Sequence, residues 1–188
     1  TVIVGSGGLD ELEQKIAYPI VLKVPDGSFS LGVYKVENRQ QLEQVARKLF
    51  KNSDLLLGQA YTYTPFDWRV GILNRKPLYV CQYFMSKDHW QIYDHGSVEK
   101  EGDFRTFAVE DAPKKVVETA LKAANLIGNG LYGVDLKETE AGVVVIEVND
   151  NPSIESGVED AVLGDALYDE IMAEFLARIE ASKILRSS

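Results

Sequence analysis

Gly133-Val134-Asp135-Leu136-Lys137-Glu138-Thr139-Glu140-Ala141-Gly142-Val143-Val144-Val145-Ile146-Glu147-Val148-Asn149 is the stretch from which this chain is best read. Two β-rich runs, residues 132–137 and 143–148, flank a turn at Glu140-Ala141-Gly142 and predict an antiparallel hairpin. Strand side chains alternate faces, so Val144, Ile146 and Val148 are expected on one face and Glu147 and Asn149 on the other. A turn centred on Ala141 sets Asp135 directly opposite Glu147, with Asn149 one step along. Opposed like charges destabilise a sheet, and two close carboxylates do not both stay ionised cheaply. A hard divalent cation removes that penalty, and Asp, Glu and Asn oxygens suit magnesium. The competing reading is a solvated strand face, and a one-residue bulge at the turn would spoil the register. The next residues, 150–157, are polar and turn-rich, as segments lining a site often are.

Upstream, residues 1–4 read as a strand, followed by the loop Gly5-Ser6-Gly7-Gly8 and a short helix ending before Pro19. Residues 20–24 and 33–36 are strands joined by a glycine-bearing loop. Leu42, Val45, Ala46, Leu49 and Phe50 fall at helical spacing behind an Asn38 cap. Residues 55–63, 68–73, 78–85 and 90–93 form a β-rich series suggesting a meander, and residues 99–106 read as loop. A helix opens near Asp111 and Pro113 and ends at Gly128. A last amphipathic helix uses Leu167, Ile171, Phe175, Leu176 and Ile179. The fold class expected is α+β, divided into residues 1–57 and 58–188.

The 188 residues carry 20 Lys plus Arg against 29 Asp plus Glu, a formal charge of −9. That balance argues against tracking nucleic-acid phosphates or an anionic membrane. A single cysteine, Cys81, precludes an intrachain disulfide. With no long apolar run and no signal-peptide pattern, a soluble cytoplasmic protein is expected.

Lys23 lies within the apolar strand Ile20-Val21-Leu22-Lys23-Val24, where an ammonium needs an anionic partner. The adjacent Gly27-Ser28-Phe29-Ser30-Leu31-Gly32 offers backbone N–H groups, hydroxyls and room for close approach. It is neither a Walker loop nor a dinucleotide fingerprint. An exposed hairpin loop is the plainer alternative.

Taken together, these segments resemble ATP-grasp enzymes, most closely ligases of the RimK and glutathione-synthetase types. Residues 21–33 resemble the phosphate lid and Leu57-Gly58-Gln59-Ala60-Tyr61 the adenine hinge. Asp67-Trp68-Arg69-Val70 resembles the Asp-x-Arg strand, and Gly133-Val134-Asp135 with residues 146–152 resembles the magnesium-binding ending. The resemblance implies two lobes with antiparallel sheets flanked by helices, binding ATP. It assigns Lys23, Gly27, Ser28, Ser30 and Gly32 to the phosphates, Gln59 and Tyr61 to the adenine, and Asp67 to the ribose side. Asp135, Glu147 and Asn149 would hold one or two Mg²⁺, with Mn²⁺ as a substitute. The implied reaction joins a small carboxylate acceptor to an amine or thiol nucleophile through an acyl phosphate. Arg69 and Arg105 are the candidate catalytic cations, with a salt bridge to Asp67 as the alternative for Arg69. Gly102-Asp103-Phe104-Arg105 matches a RimK-type segment only in part.

Such enzymes carry an upstream domain, so a chain beginning at Thr1 is expected to be the ATP-grasp part of a longer ligase, inactive alone if its acceptor site lies upstream. Oligomeric state is left open, with a homo-oligomer as one option. The alternatives are a nucleotide-binding regulatory module and a kinase-like phosphotransferase. His89, His95, Lys87, Cys81, Trp68 and Trp90 are read as ordinary strand, turn or packing residues.

Overall fold

Ile20 and Leu22 alternate with Val21 and Lys23, and that period of two places the first pair against helices and the second on the opposite face. The structure, a computed structural model, describes residues 1–26, 32–85 and 103–186. It divides into two units, Thr1–Tyr63 and Thr64–Ser188.

The first unit contains β1 (Val2–Val4), α1 (Leu9–Lys15), β2 (Ile20–Lys23), β3 (Val33–Val36), α2 (Arg39–Leu49) and β4 (Leu56–Ala60). Its strands order β1-β4-β2-β3, with every pairing antiparallel. Leu12, Ile16, Leu42, Ala46 and Leu49 of the helical segments bury Val4, Ile20, Leu22, Val36 and Leu56. Asn38 caps α2, its side chain accepting from the Gln41 N–H at 3.0 Å. Arg39 ties the two helices together, with ion pairs to Asp10 at 2.5 Å, Glu43 at 2.7 Å and Glu13. A Cβ at Gly58 would come within 2.3 Å of Leu12, so glycine at this position lets α1 pack on β4. The unit extends past residue 57, the boundary expected from sequence, because β4 pairs with both β1 and β2.

The second unit contains β5 (Phe66–Leu73), β6 (Lys76–Phe84), β7 (Phe104–Phe107), α3 (Lys114–Ile127), β8 (Leu131–Thr139), β9 (Gly142–Asn149) and α4 (Asp165–Arg186). The sheet order is β7-β6-β5-β8-β9, again antiparallel. Residues 104–106, within the stretch expected as loop, form with Phe107 the edge strand β7 because they pair with Val80–Tyr83. Val116, Ala120 and Ala124 of α3 pack on Trp68, Val70, Val80, Val134 and Leu136, closing one face. On the other face Leu167 and Ile171 of α4 cover Leu73, Leu78, Tyr79 and Cys81, leaving the rest of that face polar. Phe175, Leu176 and Ile179, expected to pack, are exposed. Beyond Ile171 the inward side of α4 is polar: Glu174 accepts from Asn74 at 3.0 Å and Arg178 donates to the Asn129 carbonyl.

The hairpin register is the fold feature that positions the site. Thr139 pairs with Gly142, so the turn is the two-residue Glu140-Ala141 rather than one centred on Ala141. The shift that this introduces is reversed by a bulge between the pairs Leu136–Val145 and Asp135–Glu147, which leaves Ile146 as the extra residue. Val143 and Val148 therefore pack towards α3, and the expected Val144-Ile146-Val148 face does not form. Glu147 and Asn149 share the face of Asp135 because the bulge turns them there.

Candidate active site

One rung crosses the second sheet completely: Thr106, Cys81, Arg69, Asp135 and Glu147 from β7, β6, β5, β8 and β9. All five project from the face opposite α3. Arg69 Nε donates to Asp135 Oδ1 at 2.7 Å and Nη2 to Oδ2 at 2.8 Å. This parallel fork is the strong geometry for a guanidinium and a carboxylate. The partner of Arg69 is thus Asp135, directly across the strand pair, and not Asp67. Asp67 instead accepts from Thr64 at 3.0 Å and from the Lys137 ammonium. The Arg69 guanidinium also lies 5.3 Å from the centre of the Tyr83 ring.

Asp135 and Arg69 side chains are each 17% exposed. Burial raises the Asp135 carboxyl above its ordinary range against the pull of Arg69, and the Glu147 and Asp67 charges add to the rise. Asp135 and Asp67 are paired with Arg69 and Lys137, and Glu147 brings a third carboxylate to the same face. Asn149 Nδ2 lies 3.4 Å from Asp135 Oδ2. Among the described residues no group of three or more His, Cys, Asp and Glu side chains is arranged to hold a metal. The available donor set is two carboxylates and one amide, which fits a hard cation that retains several waters.

Residues 150–164 cross this face, strand by strand. A Cβ on Gly133 would sit 2.8 Å from that of Pro152, so glycine there admits the segment against β8. Next, Ser153 Oγ accepts from Arg69 Nη1 at 3.5 Å over β5. Buried Glu159 accepts from the Tyr83 hydroxyl of β6 and from the Glu155 N–H at 2.7 Å. Finally, Thr106 of β7 donates to the Val158 carbonyl at 2.6 Å. Burial, with the Glu159 carboxylate, pushes the Tyr83 phenol up.

In the first unit, the face away from the helices carries Lys23, Val21, Lys35, Leu57 and Gln59 by register. Lys23 is buried. Gln59 Nε2 lies 3.1 Å from Thr1 Oγ1, and the Lys35 ammonium sits 4.4 Å from the centre of the Tyr61 ring. Gly32 precedes β3 with φ +79°, a conformation that favours glycine. Gly27, Ser28, Ser30, Lys87, His89, Trp90 and His95 lie outside the described residues.

Asp67, Arg69, Asp135, Glu147 and Asn149 are thus brought to one face of one sheet. Arg105 is not: it pairs with Gln82 on the α3 side of β7, its guanidinium 4.6 Å from the Phe107 ring centre. Strand alternation from Thr106 on the site face turns it away. Lys137, Tyr83 and Glu159 went unnoticed in the sequence. Lys137 carried a signal, two residues beyond Asp135 on the same strand face. Glu159 carried none, because its burial depends on a loop path.

The profile of the family described as "D-ala D-ala ligase C-terminus" matches residues 6–157. The chain belongs to this family. It is 29% identical over 161 residues to the probable alpha-L-glutamate ligase of Thioalkalivibrio sulfidiphilus, covering 81% of this chain and 48% of that protein. It is 25% identical over 157 residues to the D-alanine–D-alanine ligase of Fusobacterium nucleatum, covering 78% and 49%. Among solved structures, D-alanine–D-alanine ligase from Bacillus anthracis superposes with a TM-score of 0.71 at 17% identity, over 96% of this chain and 62% of that one. The VanG D-Ala:D-Ser ligase of Enterococcus faecalis gives 0.69 at 18%, over 93% and 55%. The fold is the α+β ATP-grasp fold of these ligases. The chain spans about half the length of the curated relatives it matches. Among the described residues no helix is long and apolar enough to cross a membrane.

Proposed function

We propose that this chain is the ATP-handling part of a ligase that joins a carboxylate to an amine, or to a thiol, at the expense of ATP. The observation that carries the reading is the Arg69–Asp135–Glu147 rung with Asn149 on the same face, in a family named for a ligase. Two curated relatives are named as ligases of glutamate and of D-alanine, which supports an amino-acid carboxylate as the acceptor class.

In this reading Asp135, Glu147 and Asn149 hold one or two Mg²⁺, or Mn²⁺, and the chemistry supplied there is neutralisation of phosphate charge. Lys23 and the segment 27–32 serve the phosphates, Gln59 and Tyr61 the adenine, and Asp67 the ribose side. An acceptor carboxylate oxygen attacks the γ-phosphorus and ADP leaves, giving an acyl phosphate. The nucleophile then attacks the acyl carbon, loses a proton and expels inorganic phosphate. Charge develops on phosphoryl oxygens in both steps, so fixed cations matter more than proton transfer. Arg69, held by Asp135 beneath and Ser153 beside it, is the positioned cation for that charge.

Titration calorimetry with ATP, with and without Mg²⁺, tests the nucleotide half of the proposal, and magnesium-dependent binding is expected. Trapping with hydroxylamine tests the chemistry. ATP, Mg²⁺ and a panel of amino acids should yield a hydroxamate with at least one of them. ATP turnover that leaves a stable phosphorylated product and no hydroxamate would contradict the ligase reading.

A further inference from the structure

Glu159 is 1% exposed, and its hydrogen-bond partners are neutral donors, the Tyr83 hydroxyl at one carboxylate oxygen and the Glu155 N–H at the other. Burying a carboxylate beside neutral partners is costly, so packing alone does not account for it. Its two bonds reach different parts of the site. The bond from the Glu155 N–H closes residues 155–159 into a turn, next to the bond from Thr106 to the Val158 carbonyl. The bond from Tyr83 fixes a ring whose centre lies 5.3 Å from the Arg69 guanidinium. Tyr79, on the same face of β6, has a buried hydroxyl with no partner among the described residues. Of the two tyrosines, the carboxylate therefore holds the one whose ring faces Arg69.

We propose that Glu159 is a positioning residue for Arg69, acting through the Tyr83 hydroxyl and through the turn that follows Ser153. Its consequence for catalysis rests on the ligase reading above. Arg69 is bounded by the Asp135 fork on β8, by the Tyr83 ring on β6 and by Ser153 Oγ, 3.5 Å from Nη1. Beyond these bonds the guanidinium keeps one hydrogen on Nη1 and one on Nη2, which an oxyanion arriving at this face would meet. A guanidinium stabilises a transferring phosphoryl group best when its N–H groups are already aimed, because turning them during the reaction costs free energy. Without Glu159, the Tyr83 ring is free to swing and residues 153–159 are free to lift, so two walls of Arg69 loosen together. The Asp135 fork stays, so the cation is retained but less well aimed. Burial and the Glu159 charge push the Tyr83 phenol up, which keeps its hydroxyl a donor.

Three variants of the full chain test this. Tyr83→Phe keeps the ring and removes the hydroxyl, and Glu159→Ala removes the carboxylate. In Glu159→Gln the amide can still accept from the Glu155 N–H and donate to the Tyr83 oxygen. Hydrogen exchange followed by NMR reads the Glu155 amide and the Arg69 Nε–H. In Glu159→Ala both should exchange about tenfold faster or more, as expected for losing a hydrogen bond to a charged group, while α3 keeps its protection. Tyr83→Phe should speed the Arg69 Nε–H alike, and the double variant should add nothing to Glu159→Ala. Glu159→Gln should stay within about threefold of the parent at both positions. With any amino acid that the parent converts to a hydroxamate, Glu159→Ala and Tyr83→Phe should lower kcat about tenfold at unchanged ATP affinity, and Glu159→Gln should restore it. Arg69 Nε–H exchange unchanged in both Glu159→Ala and Tyr83→Phe overturns the proposal, as do additive losses in the double variant. So does an equal loss of protection throughout α3 in Tyr83→Phe, because the contact would then serve the fold rather than Arg69. A parent that yields no hydroxamate refutes the ligase reading instead, and the exchange data still decide whether Glu159 positions Arg69.

Discussion

Asp135 and Glu147 face each other across one strand pair, yet their removal should have very different costs. In Asp135→Asn, the amide keeps one acceptor for Arg69 and presents a donor where the second oxygen stood. One charge-assisted bond of about 1.5–3 kcal/mol is lost and the other falls to neutral strength, a further loss of about 1 kcal/mol. The sum, about 3 kcal/mol, agrees with the cost of breaking a buried pair from one side. For a chain of this size the melting temperature should fall by about 6–12 °C. Glu147 is exposed, so Glu147→Gln should stay within about 0.5 kcal/mol of the parent. Scanning calorimetry in EDTA measures both without any metal contribution. Calorimetric titration with Mn²⁺ should then show that both variants lose metal affinity. The reasoning is refuted if the two variants melt alike, or if Asp135→Asn melts within about 2 °C of the parent.

Gly71→Ala should cost about 1–3 kcal/mol by overpacking, since the new Cβ would fall 2.2 Å from the buried Tyr79 ring. Gly133→Ala should cost less, because Pro152 lies on a loop that can give; urea midpoints compare the two. Lys23→Ala should weaken ATP and ADP binding more than adenosine binding, and equal losses in calorimetry would contradict its phosphate role. Burial pushes the Cys81 thiol up from 9 to about 11. Folded protein should therefore resist alkylation at pH 8. Because the unfolded thiol ionises first, stability should fall as pH rises beyond 9, an effect absent in Cys81→Ser.

Local patterns revealed the elements well where side chains alternate strongly or caps are explicit, as in β2, β3 and the Asn38-capped α2. They failed where long-range pairing decides. Residues 99–106 look like a polar loop, and only Val80–Tyr83 alongside residues 104–107 make a strand there. Arg69 lies two residues from Asp67 in sequence, but the residue directly across a strand pair is the nearer neighbour, and that is Asp135. The Asp135–Glu147 opposition was expected from a turn centred on Ala141. It occurs because a two-residue turn and the Ile146 bulge offset each other, and alternation alone does not reveal the bulge. The exposed row on α4 has the same helical spacing as its buried neighbours, so periodicity does not tell them apart.

The segment that crosses the second sheet also behaves as an exchangeable cassette. Its anchors are Pro152 at one end and Val158 and Glu159 at the other, while the contact at Glu155 is made by a backbone N–H that any residue except proline provides. Gly157, with φ +85°, is constrained. Positions 155 and 156 are exposed, and are therefore places where side chains can change while the sheet beneath keeps its register. If the proposed ligase reading holds, selectivity among acceptors would be free to diversify there, residue by residue, without the fold having to be rebuilt.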